Sequence, residues 1–477
     1  MHEVAIAPNR PDGFAELVDP DDLLRYEQTL VDAARGLRGH TWWHVNSTAE
    51  GGGVAELLHA LLGYVVAADI DARWLVIDGD APFFEVTKRL HNRLHGSPGD
   101  GGPLGLEERG LYDARLEHEL VSVGSLVRPG DVVVLHDPQT VGLAPHLAAR
   151  GAYVIWVCHI GVDVANELAR EAWGFLLDDA RGAAASVFTR SAYVWDGLDA
   201  GRIAVIPPCI DAGSPKNVPI EHPTMEAVLA AAGVIEAPAG DPTVPLADGT
   251  SIRVSRRADM VEQAPVPTTA PLVVQVSRWD RLKDPVGVLA GFAAGVPLDL
   301  GAHLVLAAPQ VDAVSDDPEG ADVLEEVRAA WGALPPDARA LVHLASLPIV
   351  DLVENAVIVN ALQRRADIVV QKSLAEGFGL TVTEAMWKER PVVGSRLGGI
   401  AEQIEHGRSG LLVDPTDLPA FGEALTMLLR DELLAVEIGH GARMRVRSKF
   451  LAPHFLSAHL ELALRVAASG DPDVSAP

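Results

Sequence analysis

Residues 371–399 read QKSLAEGFGLTVTEAMWKERPVVGSRLGG, and the changes of period within them decide the fold. ADIVVQKS (366–373) is a short apolar run, the glycines at 377 and 379 allow a tight turn, LTVTEAMWK (380–388) has helical spacing, and RPVVGSR (390–396) returns to a strand. Strand, glycine loop, helix and strand form the repeating unit of a parallel sheet, because parallel neighbours need a long crossover. Strands covered on both faces are apolar throughout instead of alternating, so the unit can be sought elsewhere by that pattern.

Working outward, LVVQVSRWD (272–280), GAHLVLAAP (301–309), ALVHLAS (340–346) and GLLVDP (410–415) are further short β-branched runs, with helical stretches such as 322–334 between them. An equivalent series precedes them: HTWWHVNS (40–47), ARWLVID (72–78), DVVVLHD (131–137), AYVIWVCH (152–159), ASVFTRS (185–191) and RIAVIPP (202–208). The chain is therefore read as α/β, with two doubly wound Rossmann-like domains facing each other across a cleft. The first spans 1–212, with a C-terminal helix at about 452–470 packing back on it. Residues 213–270, rich in proline and glycine, form a connection or insertion, and 271–451 form the second domain.

The formal charge of −28 excludes broad attraction to nucleic acid or anionic lipid, which need clustered lysine and arginine. Cys158 and Cys209 lack metal-ligand spacing and read as buried thiols. The first twenty residues have no basic segment followed by an apolar one, and no run would span a bilayer, so a cytoplasmic protein is expected.

Ligands of doubly wound sheets lie beyond the carboxyl ends of the strands, which selects the residues that follow each apolar run. Glu376 on the glycine loop can accept from sugar hydroxyls, and Glu384, about two turns deeper, can grip a ribose. Gly377, Phe378, Gly379, Leu380 and Thr381 surround the start of a helix, a seat for a diphosphate. Glutamates near a helix N-terminus also suit the dipole without any ligand. Arg278 and Lys283, in VSRWDRLKDP (276–285), can offer a planar fork and a compact charge to phosphate, or form a solvated ion-paired loop. In the first domain, Asn46 and the glycines 51–53 separate a strand from a helix and permit close backbone approach. His136, Asp137 and His159 end strands, and Arg190 follows one; a histidine there is often a structural hydrogen bonder. Asp69 and Asp71 form a DxD at a helix end and read as solvated, so no metal ligand is assigned.

The pair Glu376 and Glu384 at seven-residue spacing, with the glycine loop and the 391–399 stretch, resembles the donor site of glycosyltransferase family 4. HVNSTAEGGGVAELLH (44–59), LHDPQTVGL (135–143), PPCIDAGSPKN (207–217) and GGIAEQIEHGRSGLLV (398–413) sharpen it to the trehalose-forming glycosyltransferring synthases and the related trehalose phosphorylases. The resemblance implies a GT-B fold and a retaining transfer of glucose from a UDP-glucose or ADP-glucose type donor to a small sugar, giving α,α-trehalose. By it, His159, Arg278, Lys283 and Glu376 are catalytic. Gly52, Gly53, Arg278, Lys283, Glu376 to Thr381 and Glu384 hold the donor, and Asn46, Gly51, Asp137 and Arg190 the acceptor. It implies no cofactor and no strict need for a divalent metal, and leaves a homodimer open. A trehalose phosphorylase or a sugar-nucleotide epimerase of the same fold are the alternatives. Gly161 stands where that subgroup would have an acid, which bears on the acceptor.

Overall fold

A computed structural model describes residues 1–9, 14–49, 53–236, 240–311 and 319–469. The chain divides into two compact units, Met1–Asp211 with Phe450–Pro477, and Ala212–Lys449.

The first unit is built on β1 (His2–Val4), β2 (Trp42–Asn46), β3 (Ala72–Val76), β4 (Val132–His136), β5 (Tyr153–Cys158), β6 (Ala185–Phe188) and β7 (Ile203–Val205). They form one sheet in the order β1-β3-β2-β4-β5-β6-β7, all parallel except β1. Successive side chains of a strand point to opposite faces, so Val133 and Leu135 enter the core on one side, while Val132 and Val134 enter the core on the other. The helix Ala452–Ser469 packs against Pro20–Gly36 and sends Leu456, Leu460 and Ala463 into the second of these cores, beside Trp42 and Trp74. Burying a leucine such as Leu460 is worth about 1.5 to 3 kcal/mol, which explains why the chain returns to its starting unit.

The second unit's large sheet comprises β8 (Asp259–Val261), β9 (Leu272–Val276), β10 (His303–Pro309), β11 (Val342–Leu347), β12 (Ile368–Gln371), β13 (Val392–Ser395) and β14 (Leu411–Val413), in the order β8-β11-β10-β9-β12-β13-β14. Only β8 is antiparallel. Residues 213–270 lie in this unit. They supply β8, the helix His222–Ala231 packed on Leu352–Arg365, and two small strand pairs. A proline-rich stretch suits a sheet edge, where an absent N–H breaks no ladder.

Without the antiparallel edge strands, the first sheet has the doubly wound order 2-1-3-4-5-6 and the second 3-2-1-4-5-6. Each has one point at which successive strands run off in opposite directions, between β2 and β4 and between β9 and β12.

Candidate functional site

In the second unit, the loops after β9 and β12 carry Arg278 to Lys283 and Lys372 to Gly379. The Leu374 amide donates to the Leu282 carbonyl at 2.7 Å, lacing the loops together. Lys283 Nζ donates to Glu376 Oε2 at 2.7 Å, and Ser373 Oγ donates to the same oxygen at 3.1 Å. One residue on, Asp284 pairs with the buried Lys372, whose ammonium also donates to the Pro415 carbonyl at 2.6 Å. Two oppositely oriented ion pairs thus tie one loop to the other. Asp284 sits at φ +50°, a left-handed backbone that an aspartate tolerates, and caps the helix Pro285–Gly295 by accepting from Gly287 N at 3.0 Å. Arg278 is half-exposed and donates to Asp280 Oδ2 at 3.2 Å.

The helix Leu380–Trp387 begins after Gly379, at φ +85°. The turn leading into it is held by the buried Gln403. Its amide donates to the Phe378 carbonyl at 2.5 Å and the Gly379 carbonyl at 3.3 Å, and Thr383 Oγ1 donates to its Oε1 at 2.6 Å. Any side chain at 399 would put its Cβ 2.3 Å from Phe378 Cα, so Gly399 is required for the glycine loop to close. Phe378 is buried, while Gly377, Leu380 and Thr381 are half-buried at the start of the helix.

Glu384 lies inside the unit at 2% exposure. Its Oε1 is 3.8 Å from Lys216 Nζ, and its Oε2 is buried with no hydrogen-bond partner. Lys388 sits below it, donating to Asn217 Oδ1 at 3.1 Å, Gln363 Oε1 at 2.8 Å and the Glu384 carbonyl at 3.1 Å. Burial pulls Lys388 down to about 7, with Glu384 opposing the shift. An unsatisfied buried acceptor costs about 1 to 3 kcal/mol, and more when charged, so Glu384 Oε2 is suited to a donor that arrives with a ligand.

In the first unit, a run of histidines leads from the middle of β2 to the ends of β4 and β5. His44 Nδ1 is 3.0 Å from His136 Nε2, and His136 Nδ1 is 3.2 Å from His159 Nε2, with both ring pairs stacked. Burial holds His44 at about 3 and His136 well below the ordinary range, so both are neutral; His459, on the C-terminal helix, is likewise pushed to about 3. Asp137 takes a left-handed φ of +61°, accepts from the His159 amide at 2.8 Å, and has its pKa raised by burial.

Asn46 spends its amide internally. Its Oδ1 accepts from Trp74 Nε1 at 2.8 Å and its Nδ2 donates to the Thr48 carbonyl at 2.7 Å, ordering the exit of β2. Gly51 and Gly52 lie outside the described residues, and Gly53 opens the helix Gly53–Ala67. Arg190 pairs with Asp163 and stacks 5.2 Å above the Tyr193 ring. That ring accounts for Gly161, where a Cβ would lie 2.3 Å from Tyr193 Cγ. The acid of this segment is Asp163, two residues on.

The second unit thus brings Lys283 and Glu376 into contact and adds Lys372, Gln403, Lys216 and Lys388. The first unit adds His44 and His459 to its own histidine cluster. None of these added residues was singled out by the sequence reading. Lys372, Lys388, Gln403, Lys216 and His44 all lie in stretches quoted from the sequence, at 371–399, 398–413, 207–217 and 44–59, and His459 lies in the C-terminal helix. Asp71 accepts from Thr41 Oγ1 at 2.7 Å, and among the described residues no group of His, Cys, Asp and Glu could hold a metal ion. Cys158 and Cys209 are buried and free. Among the described residues no helix is long and apolar enough to cross a membrane.

The profile of the trehalose synthase N-terminal domain matches residues 44–195, and that of group 1 glycosyl transferases matches 331–431. The α,α-trehalose-phosphate synthase (UDP-forming) of Burkholderia vietnamiensis superposes with a TM-score of 0.65 at 14% identity, covering 91% of this chain and 100% of that one. Two doubly wound units with this topology define the fold as GT-B. A trehalose synthase of Rubrobacter xylanophilus is 34% identical over 94% of this chain and 97% of its own, and a trehalose phosphorylase of Pleurotus pulmonarius is 27% identical over 88% of this chain and 56% of its own. The chain belongs to the trehalose synthase family.

Proposed function

We propose that the chain is a retaining hexosyltransferase that moves glucose from UDP-glucose or ADP-glucose to free glucose, making α,α-trehalose. The observation that carries this reading is the 34% identity to a trehalose synthase, which runs through both units and 94% of the chain. The buried, unpartnered Oε2 of Glu384 adds to it, because a ribose hydroxyl is the kind of donor such an oxygen lacks.

Arg278 and Lys283 take the diphosphate, and the start of the helix Leu380–Trp387 adds backbone N–H groups. On binding, phosphate replaces Glu376 at Lys283, which leaves Glu376 for donor-sugar hydroxyls. Gly53, Asn46, Asp137, His159 and Arg190 serve the sugars from the first unit. The glucosyl bond to the diphosphate breaks as the bond to the acceptor hydroxyl forms, and the hydroxyl proton passes to a phosphate oxygen on the same face. No covalent carboxylate nucleophile is needed. The cations act where negative charge grows on the leaving group, which is where fixed charges lower a barrier most.

The test is to incubate the protein with glucose and UDP-glucose or ADP-glucose carrying labelled glucose, and to determine the product by NMR. An α,α-linked disaccharide is expected. A β linkage overturns retention, whereas an α linkage to another acceptor preserves the mechanism and rejects only trehalose. Glucose 1-phosphate formed from trehalose and inorganic phosphate, with no transfer from either nucleotide sugar, would replace the transferase by a phosphorylase.

A further inference from the structure

His44, His136 and His159 are joined head to tail, Nδ1 of one ring to Nε2 of the next, at 3.0 and 3.2 Å. A neutral imidazole carries one N–H and one lone pair, and each contact needs one of each. A proton on His44 Nδ1 requires a bare Nε2 on His136, hence a proton on His136 Nδ1, and so on to His159. The three rings therefore share one tautomer, all Nδ1–H or all Nε2–H.

The two states differ at the ends of the chain. At the inner end, His44 Nε2 is buried with no hydrogen-bond partner. The Nε2–H state would leave an N–H without an acceptor there, which folded proteins rarely tolerate; the Nδ1–H state leaves only a lone pair. At the outer end, the Asp137 carboxyl accepts from the His159 amide at 2.8 Å, which fixes the backbone that carries the ring.

We propose that His44 and His136 are positioning residues that hold His159 as the Nδ1–H tautomer, so that it presents a hydrogen-bond donor to its ligand. Burial keeps His44 and His136 neutral, as a shared tautomer requires, and His459, also neutral, adds no charge to the cluster. That the ligand is a sugar rests on the proposed transferase activity; the tautomer does not.

The experiment is two-bond proton–nitrogen NMR on the full chain with ¹⁵N-labelled histidine. His159, His136 and His44 should each show a protonated Nδ1 and a bare Nε2; a His159 protonated on Nε2 overturns the proposal. In folded His136→Leu, His159 should drift towards the Nε2–H form that free histidine prefers, and kcat should fall roughly tenfold with little change in the donor KM. An unchanged His159 tautomer in that variant removes the positioning role. His44→Leu gives the same test should His136→Leu fail to fold. The spectrum needs no turnover, so failure of the transferase reading leaves the tautomer result readable.

Discussion

The two strand-end clusters solve their electrostatics in opposite ways. In the first unit, His44, His136 and His459 are neutral because burial strips them of protons. In the second, Lys283 pairs with Glu376 and Lys372 with Asp284, each pair joining two loops. A charge in a protein interior needs a partner, whereas a neutral polar group needs only hydrogen bonds. On the proposed reading the difference has a use. A leaving diphosphate calls for fixed cations, while an uncharged sugar calls for oriented donors and acceptors.

The strongest way to break this contrast is to remove the cations. Arg278→Ala and Lys283→Ala should each lower kcat by roughly 100-fold or more, the usual loss when one preorganised group facing developing charge is deleted, with a smaller change in substrate binding. Near-native turnover in both variants would mean that the second unit's charges serve the fold and not the diphosphate.

Glu384→Gln comes next. The amide keeps the shape of the side chain but loses charge-assisted acceptance, typically worth about 1.5 to 3 kcal/mol, so the donor Kd should rise about tenfold or more. Lys216, 3.8 Å from that carboxylate, loses its ionic partner as well. Calorimetry with UDP and ADP measures the effect, and an unchanged Kd in a folded variant takes Glu384 out of the nucleotide site.

The neutral cluster makes a smaller prediction about acid. A histidine titrates near 6.5 when unfolded, but His44 and His459 do so at about 3 in the fold. Between these values the unfolded chain binds more protons, so stability is complete above 6.5 and is lost as pH falls, at up to about 1.4 kcal/mol per pH unit for each histidine. Six of the nine tryptophans, Trp42, Trp43, Trp74, Trp156, Trp173 and Trp195, belong to the first unit, so their fluorescence follows its unfolding in urea. The midpoint should fall from pH 7 to 5, and less steeply in His459→Leu. A midpoint indifferent to pH would show that these rings are not held neutral.

The same contrast governs what could be read from sequence. Both sheets announced themselves, because parallel strands covered on two faces leave short runs such as VVVLH and LVVQV. Glu376 and Glu384 were legible because one loop and one helix carry both. The strand orders were not, since 2-1-3 and 3-2-1 arrangements give the same succession of strand and helix. Nor was the histidine chain, which draws on three strands, or the Lys216 contact to Glu384, which joins segments remote in sequence. Gly161 drew notice as a missing acid; its cause is Tyr193, which only packing reveals.

The smallest expected effect is that of removing metal. A divalent ion would be needed if the diphosphate's charge had no other counterpart, but on the proposed reading Arg278, Lys283 and the start of the helix Leu380–Trp387 supply cations and backbone N–H groups to it. The DxD at Asp69 and Asp71 is a poor substitute. Asp69 occupies a left-handed turn at φ +61°, and Asp71 is engaged by Thr41 Oγ1 at 2.7 Å and lies 3.4 Å from Arg73 Nε. Turnover in excess EDTA should therefore match turnover with added magnesium, measured as disaccharide formed per unit time. A complete loss restored by magnesium would mean that the protein's own cations are too few, and the second unit's ion pairs would then have to be read as scaffolding around a metal-borne diphosphate.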